Sequence, residues 1–284
     1  MKFAVFELSG KYAHFKVPES TRGNFTFPFP PRTALIGIIA GILGIQRNSY
    51  WQENQKFNET KIAIEILNPV QKDNLKINYT QTKTTTSLRK LGVPVTLLIP
   101  KDPGNPASRG FISQFKLDLL KDVHYRIYAN INDEKLHEQL VKRLEEKKYV
   151  YPPYFGHANF FADVTYIGNF DAKYLNSGEY LLNGLIAAST LMDEKDLLYQ
   201  SGGLTVVFNV PMAMKAIEEE KITDDYPNTF SCEIARLENV ILQIESDKQL
   251  KLRLKEKTGF TLTINQQKKN LVLLPSQVVE EHIT

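Results

Sequence analysis

The sequence predicts an α+β fold that contains more strand than helix. Short segments with alternating apolar and polar residues recur along the chain, whereas helical periodicity is confined to a few segments. The 284 residues allow one large domain or two smaller ones, at roughly 100–200 residues per domain. The hydrophobic fraction of 42% and the charged fraction of 24% are ordinary for a globular protein.

The first half of the chain alternates strands and helices. Phe3, Val5 and Glu7 fall on one face of the first predicted strand, and His124, Arg126 and Tyr128 share a face of a later one. The predicted strands are residues 2–8, 61–67, 75–82, 123–131 and 159–168, and the predicted helices are residues 33–45 and 133–148. Glycines weaken the first helix, and close packing against a sheet is the expected compensation. The order β-α-β-insertion-β-α-β is the ferredoxin-like pattern shared by RNA-recognition folds.

The pattern changes after Asn169, where shorter strands take over. We predict a helix at residues 180–191, a strand at residues 204–210, and a hairpin formed by residues 249–255 and 260–264 with Lys251, Arg253 and Lys255 on one face. The predicted domains are therefore a ferredoxin-like domain at residues 1–169 and a smaller β-rich part at residues 170–284.

The charge is unevenly distributed. Residues 72–116 hold eight basic residues and two acidic ones, although the net charge of the whole chain is only +3. This segment is also rich in Thr, Pro and Gly, which is compatible with a nucleic-acid contact and with a solvated loop. Residues 193–225 hold eight acidic residues and three basic ones, so RNA contact is not expected there.

Motifs for metal or covalent chemistry are not recognisable in the sequence. A single cysteine, Cys232, cannot form an intrachain disulfide and supplies too few ligands for a thiolate zinc site. The five histidines are not paired at metal-ligand spacing. We therefore expect no metal, no cofactor and no small-molecule substrate, and the cysteine usage fits a reducing cytoplasm.

Residues 24–44 (NFTFPFPPRTALIGIIAGILG) place Arg32 at the start of an apolar helix. Its apolar run is shorter than the ~20 residues that span a bilayer, so we expect no membrane segment. A helix start presents free N–H groups, and an arginine beside them suits an anion, with Phe25, Phe27 and Phe29 available for base stacking. The alternative is a buried structural helix with phenylalanines in the core, and the residues leave both open.

Three stretches together resemble a protein family. These are SGKYAHFKVPES followed by FPFPPRTALIGIIAGILG, then LLKDVHYRIYANI, and then YPPYFGHANFFADVTYIG. They resemble the fifth family of CRISPR-associated (Cas) proteins, in the RAMP superfamily, whose members cap the 5′ handle of CRISPR RNA in type I Cascade complexes. The form of the first and third stretches is most similar to the type I-B branch.

The resemblance implies a non-catalytic RNA-binding subunit that contacts the backbone subunit and the large subunit, with target DNA nearby. It also implies a basic thumb-like insertion at about residues 83–112 that lies across the guide RNA. The RNA-binding residues expected on this basis are Lys11, His14, Lys16, Arg22, Arg32, Lys83, Arg89, Lys90, Arg109, Tyr154, Phe155 and His157.

One branch of the family is itself an endoribonuclease that works without metal, through tyrosine, lysine and histidine. Candidate counterparts here are Tyr12, Lys11 and His14 on the first strand, or His157 near Tyr154. An intact triad does not align, so the resemblance favours the non-catalytic subunit and leaves precursor-RNA cleavage as the alternative.

Overall fold

The computed structural model describes residues 1–18, 24–52, 56–80, 112–193, 204–220, 229–243 and 250–276. In the first part of the chain the elements are β1 (Lys2–Ala13), α1 (Arg32–Leu43), β2 (Lys61–Ile66), β3 (Gln71–Thr80), β4 (Ile112–Asn130), α2 (Glu134–Glu145) and β5 (Asp163–Tyr174). The later elements are β6 (Gly178–Leu182), β7 (Ile186–Ala187), β8 (Leu204–Glu220), β9 (Thr229–Gln243), β10 (Leu250–Leu254), β11 (Gly259–Ile264) and β12 (Gln267–Val272). The predicted α+β class, with more strand than helix, is confirmed.

The main sheet is antiparallel, with the strand order β12-β11-β5-β1-β4-β2. Its two edges meet, because Leu274 donates a backbone hydrogen bond to Ile62 and Leu185 donates one to Ile64. Asn183 bonds to Asn270 on the other side of the same seam. The sheet is therefore curled into a ring whose seam is closed by residues 183–185 and 274.

Alternation along β1 separates two apolar cores, as the sequence predicts. Ala4, Phe6 and Leu8 face a core shared with α1 and α2. Phe3 and Val5 point to the inside of the curled sheet, where the Phe3 ring stacks on Phe260 at 4.1 Å between centroids. Successive side chains of a strand point to opposite faces, so the apolar residues of β1 alternate between the two cores. This regular pattern is what predicts the strand from the sequence.

A polar cluster continues the inner core toward one end of the curled sheet. Arg126 donates to Glu7 through Nε at 3.0 Å and Nη2 at 2.6 Å, and Lys269 contacts Glu65 at 2.6 Å. The hydroxyl of Tyr128 also donates to Glu65. Burial by itself would raise the pKa of Glu7, but hydrogen bonds from Arg126 and His124 hold that pKa below its ordinary value. Buried Glu65 and half-buried Glu7 thus each have a basic partner, which offsets the cost of removing their charges from water.

Two long ribbons extend from this body. β3 pairs with the first half of β4, so β4 begins well before the strand predicted at residues 123–131. The second ribbon is β8 with β9, and it packs on α1 through Val210 and Met212. At the start of α1, the Arg32 guanidinium donates a hydrogen bond to the carbonyl oxygen of Met212, and the Thr33 hydroxyl donates one to that of Pro211.

Three sequence predictions are wrong. Residues 180–191 form β6, β7 and a short 3-10 turn rather than a helix. The predicted hairpin of residues 249–264 does not form, because β10 pairs with β6 and β11 pairs with β5 and β12. Gly37 and Gly41 of α1 face Tyr50 and Tyr151 rather than a sheet.

The predicted boundary after Asn169 falls inside β5, and the division into two domains stays a prediction.

Candidate nucleic-acid interface

The end of β1 and the loop at residues 153–162 form one surface. The backbone N–H of His14 donates to the carbonyl of Phe155 at 3.1 Å, and the N–H of Phe155 donates to Phe160 at 2.8 Å. A short bridge between Lys16 and Thr26 adds the segment that carries Phe25. We call this area the β1-end surface and define it by the side chains of Lys11, Lys16, Phe25, Tyr154, His157 and Phe161.

Gly156 sets how closely the loop approaches β1. Its φ angle is +75°, and a Cβ atom built there would lie inside the contact distance of the His14 carbonyl oxygen. Glycine has no Cβ and adopts positive φ without steric cost. Any other residue would therefore push the loop away from His14.

His14 joins three segments at this surface. Its Nδ1 lies 2.8 Å from the carbonyl oxygen of Asp118 on β4. A carbonyl oxygen can only accept, so Nδ1 carries the proton and Nε2 of the neutral ring is an acceptor. Burial lowers the pKa of His14, and the nearby His157 and Lys16 lower it further. The hydrogen bond to the Asp118 carbonyl raises that pKa but does not outweigh these effects.

Aromatic rings are exposed on the β1-end surface. Phe25 is 57% exposed, Tyr154 is 45% exposed and Phe161 is 64% exposed. Tyr12 and His157 lie beside Phe160, with ring centroids 6.1 Å and 5.2 Å from it. Exposed rings next to basic side chains are the combination that binds single-stranded nucleic acid, through stacking and phosphate contacts.

Lys11 and Lys16 are both exposed at this surface. The Nζ atom of Lys11 lies 5.8 Å from the centroid of the Tyr12 ring. Each ammonium group can contact a phosphate while the aromatic rings contact bases. The β1-end surface therefore brings together four of the twelve predicted residues, which are Lys11, Lys16, Tyr154 and His157, and a fifth, His14, is buried beneath it.

The root of the β3–β4 ribbon lies beside this surface. The carbonyl of Asn24 accepts a hydrogen bond from Asp118 at 3.0 Å, which places the Phe25 segment along β4. Lys72, Lys76 and Lys116 are exposed on the ribbon, and Lys76 pairs directly with Lys116. The rest of the predicted basic insertion, with Lys83, Arg89, Lys90 and Arg109, lies outside the described residues, as does Arg22.

His14 is buried at 8% exposure, and two more of the predicted contact residues are buried as well. Arg32 has no exposed surface, and its guanidinium donates to the carbonyl oxygens of Met212 and Thr60 at 2.8 Å each. Burial lowers the pKa of Arg32 to about 9, and nearby Arg236 adds to the effect, so the group is still a cation at neutral pH. The expectation that Arg32 lines an RNA surface is corrected, because its role is to hold the start of α1.

Phe155 is also fully buried, packed edge-to-face against Phe15 and Tyr125. It therefore supports the loop and does not stack on a nucleotide. Phe27 and Phe29 are buried as well, which leaves Phe25 as the exposed ring of that segment. Phe161 is the ring that sequence reasoning missed; the Phe160–Phe161 pair was a signal, since one ring of such a pair in an extended segment faces outward.

Within the described ranges there is no group of three or more His, Cys, Asp or Glu side chains that could hold a metal ion. In the same ranges no helix has the length and apolar character needed to cross a membrane.

Comparison with known proteins identifies one family. Residues 3–239 match the family model described as CRISPR-associated protein (Cas_Cas5). A comparison with curated protein sequences found no match.

Several solved structures are similar to this chain. One, described as a CRISPR RNA-guided surveillance complex, has a TM-score of 0.44 and 13% identity over 88% of this chain and 91% of that chain. A CRISPR protein from Archaeoglobus fulgidus has a TM-score of 0.45 and 11% identity over 96% and 100%. A chain of the Type III-B Cmr-beta complex bound to cognate target RNA has a TM-score of 0.40 and 10% identity over 87% and 86%.

Proposed function

The chain belongs to the Cas5 family of CRISPR-associated proteins, and from this membership we propose that it is a non-catalytic subunit of a type I CRISPR interference complex. In this proposal it binds and caps the 5′ handle of CRISPR RNA and contacts the backbone and large subunits, with target DNA nearby. The complex works in antiviral defence in the cytoplasm, and the form of the sequence favours subtype I-B.

The observation that carries the RNA-binding part is the β1-end surface. Lys11 and Lys16 are exposed beside the rings of Phe25, Tyr154 and Phe161. In the proposed binding mode the ammonium groups contact phosphates and the exposed rings stack on handle nucleotides. Stacking of this kind is worth about 1–3 kcal/mol per base.

The basic ribbon extends this surface toward the guide. Lys72, Lys76 and Lys116 lie at its described root, and the sequence beyond adds Lys83, Arg89, Lys90 and Arg109. We propose that this segment, at about residues 83–112, is the thumb-like insertion that lies across the guide RNA. Arg22, between β1 and the Phe25 segment in sequence, belongs to the same proposed contact set.

We further propose that residues 1–169 form a ferredoxin-like domain and residues 170–284 a smaller β-rich part. The support is the order β5-β1-β4-β2 in the main sheet, with α1 after β1 and α2 after β4. When β3 is left out as part of the ribbon and the other four strands are numbered 1 to 4 along the chain, this order is 4-1-3-2, which is the order of a ferredoxin-like sheet.

The test is binding of repeat RNA as a function of salt. Phosphate contacts on a single strand give a slope of about −0.7 in log K against log salt per phosphate neutralised. We expect Lys16→Gln to weaken binding and to make that slope shallower by about 0.7, whereas Tyr154→Ala should weaken binding without changing the slope. Lys135→Gln, on the exposed face of α2, is the control, and an affinity independent of salt would contradict the electrostatic part.

An endoribonuclease is the second candidate, and one observation favours it. The Nδ1–H of His14 is fixed by Asp118, so Nε2 is a base, and His157 lies close enough to influence its pKa. Cleavage without metal needs a base for the 2′-OH and an acid for the leaving oxygen. The Tyr12 ring lies beside Phe160, as the His157 ring does, and Lys11 lies over the Tyr12 ring.

Incubation with 5′-labelled repeat RNA in EDTA separates the two candidates. RNA that shifts on a native gel but stays intact on a denaturing gel supports the capping subunit. A cut at one position that disappears in His14→Ala or His157→Ala would instead identify the processing enzyme.

A further inference from the structure

Residues 149–154 (YVYPPY) form a segment that follows α2 and lies against the last turn of α1. The backbone N–H of Val150 donates to the carbonyl oxygen of Ile42 at 3.3 Å, and that of Tyr151 donates to Gly41 at 3.1 Å. These bonds satisfy two carbonyl groups at the end of a helix, where acceptors otherwise lack a partner. The backbone that carries Tyr151 is therefore held in place by α1.

Two rings of this segment, those of Tyr151 and Tyr154, are exposed at 60% and 45%. Both are near one face of α1, the face of Gly37 and Gly41, which are about one turn apart. A Cβ atom at Gly41 would lie 3.9 Å from that of Tyr151, and one at Gly37 would lie 3.4 Å from the Tyr50 hydroxyl. Burial raises the pKa of Tyr50 to about 12, and Tyr154 is close enough to add to this effect. The two exposed rings therefore lie close together beside α1.

Basic side chains adjoin Tyr151. Residues 142–148 hold four basic residues and two acidic ones. Lys147 and Lys148 are exposed, and the ion pair that Lys148 forms with exposed Glu146 at 3.1 Å contributes little because water screens it. Lys148 lies three residues before Tyr151, so their Cα atoms are at most about 11 Å apart. We call the side chains of Lys147, Lys148 and Tyr151 the tyrosine strip.

The tyrosine strip continues the β1-end surface. Tyr154 belongs to that surface and pairs with Phe161 through a short backbone bridge, and Tyr151 is the next exposed ring along the chain toward α2. Protein interfaces are depleted of lysine at their core, whereas an exposed ring beside ammonium groups suits a base and its phosphate. The composition of the strip therefore favours single-stranded RNA as its partner.

We propose that the tyrosine strip is a further stacking site for the RNA strand that the β1-end surface binds, with the Tyr151 ring against a base and Lys147 and Lys148 against phosphates. The inference rests on the proposed function, which supplies the RNA at Tyr154, and it lengthens the stretch of RNA that this chain holds. Because every base has a face that can stack, the strip accepts any of the four bases. Its fixed backbone limits the loss of conformational entropy when a base binds.

The experiment measures the affinity of the full chain for labelled fragments of repeat RNA that lengthen one nucleotide at a time. We expect Tyr151→Ala to bind long fragments at least about fivefold more weakly than the wild type, and to bind the shortest bound fragments equally well. Tyr151→Phe keeps the ring and should retain the affinity of the wild type. Tyr174→Ala, which removes an exposed ring near the start of β1, is the matched control and should behave like the wild type.

A second variant tests the phosphate contacts. Replacing Lys147 and Lys148 together by glutamine should make the slope of log K against log salt shallower by about 1.4 with long fragments, at about 0.7 per phosphate on a single strand. Unchanged affinity of Tyr151→Ala at every length would overturn the proposal. An equal loss with the shortest fragments would overturn it too, because Tyr151 would then support Tyr154 and not bind a nucleotide of its own.

Tyr154→Ala keeps this proposal apart from the proposed function. If Tyr154→Ala weakens binding at all lengths and Tyr151→Ala weakens it at none, the RNA role of the β1-end surface stands and the strip is overturned. If long fragments need Tyr151 and do not need Tyr154, the strip stands and the β1-end surface is overturned. A wild-type protein that binds repeat RNA of no length would overturn both.

Discussion

Gly156 determines the position of the loop that carries Tyr154 and His157. Gly156→Ala would place a methyl group against the His14 carbonyl at a φ of +75°, and we expect it to destabilise the fold by about 1–3 kcal/mol and to weaken repeat-RNA binding. Gly41→Ala is the control, because the nearest atom to a Cβ there is 3.9 Å away and alanine favours a helix by about 0.5–1 kcal/mol. Urea unfolding and a binding titration measure both effects, and equal behaviour of the two variants would contradict the assignment.

His14 makes stability depend on pH. Burial lowers its pKa in the folded state below the ordinary value of 6.5, so the unfolded chain takes up this proton first as the pH falls. The contribution of neutral His14 is complete above that ordinary value and is lost as the pH falls toward the lowered one. His14→Asn keeps an N–H donor for Asp118 but does not titrate in this range.

We therefore expect the free energy of unfolding of the wild type to fall more between pH 7.5 and 5.5 than that of His14→Asn. The other histidines are present in both proteins, so the difference isolates His14. Parallel curves for the two proteins in urea unfolding would show that His14 is not buried as the structure has it.

At the scale of elements, Arg32 ties the start of α1 to the β8–β9 ribbon and to the residue before β2. α1 begins after Pro31 with no side-chain cap, and the Arg32 guanidinium instead bonds to carbonyl groups of Met212 and Thr60. Arg32→Met leaves these buried acceptors without that donor, and we expect a loss of at least about 2 kcal/mol of stability. Repeat-RNA affinity of the folded protein should stay within about twofold of the wild type.

The matched control is Arg47→Met, which removes an exposed arginine beyond the end of α1. Its effect on stability should stay within about 0.5 kcal/mol. A large loss of RNA affinity by Arg32→Met without loss of stability would restore the RNA-binding interpretation of Arg32.

The elements that the sequence predicted are those with a regular pattern of apolar residues. α2 has one apolar stripe because one of its faces packs on the core, and β1 alternates because its two faces pack into two different cores. Residues 180–191 are rich in Leu and Ala and read as a helix, yet backbone pairing with β10, β9 and β12 makes them extended. The hairpin predicted at β10 does not form for a similar reason, because β10 pairs with the distant strand β6. Turn residues in the sequence indicate a possible hairpin but do not show which strand pairs best.

The candidate site was predictable in part for a related reason. Lys11, Lys16 and Tyr154 were expected from the resemblance, and they are exposed on one surface. Arg32 and Phe155 carry the same chemical groups as surface residues that bind RNA, and their burial depends on contacts far along the chain. Residue type therefore identified the region, whereas three-dimensional packing determined which side chains are available.

At the scale of the whole molecule, closure of the curled sheet depends on Gly184. Its φ is +79°, and a Cβ there would overlap the carbonyl of Ile64 on β2. We expect Gly184→Ala to lower the free energy of unfolding by at least about 2 kcal/mol, whereas Gly178→Ala, with its nearest neighbour 3.6 Å away, should change it much less. Thermal unfolding of both variants decides this, and equal melting temperatures would show that the seam is not closed at residue 184.

The position of the seam also determines when the curled sheet can close during synthesis of the chain. Its first strand starts at Lys2, while β11, β12 and Leu274 are the last parts of the ring to leave the ribosome. Until they do, β2 and β5 each present an open strand edge, and open edges pair readily with other chains. Until synthesis reaches the residues that close the ring, these two edges are therefore the parts of the sheet most open to pairing with other chains.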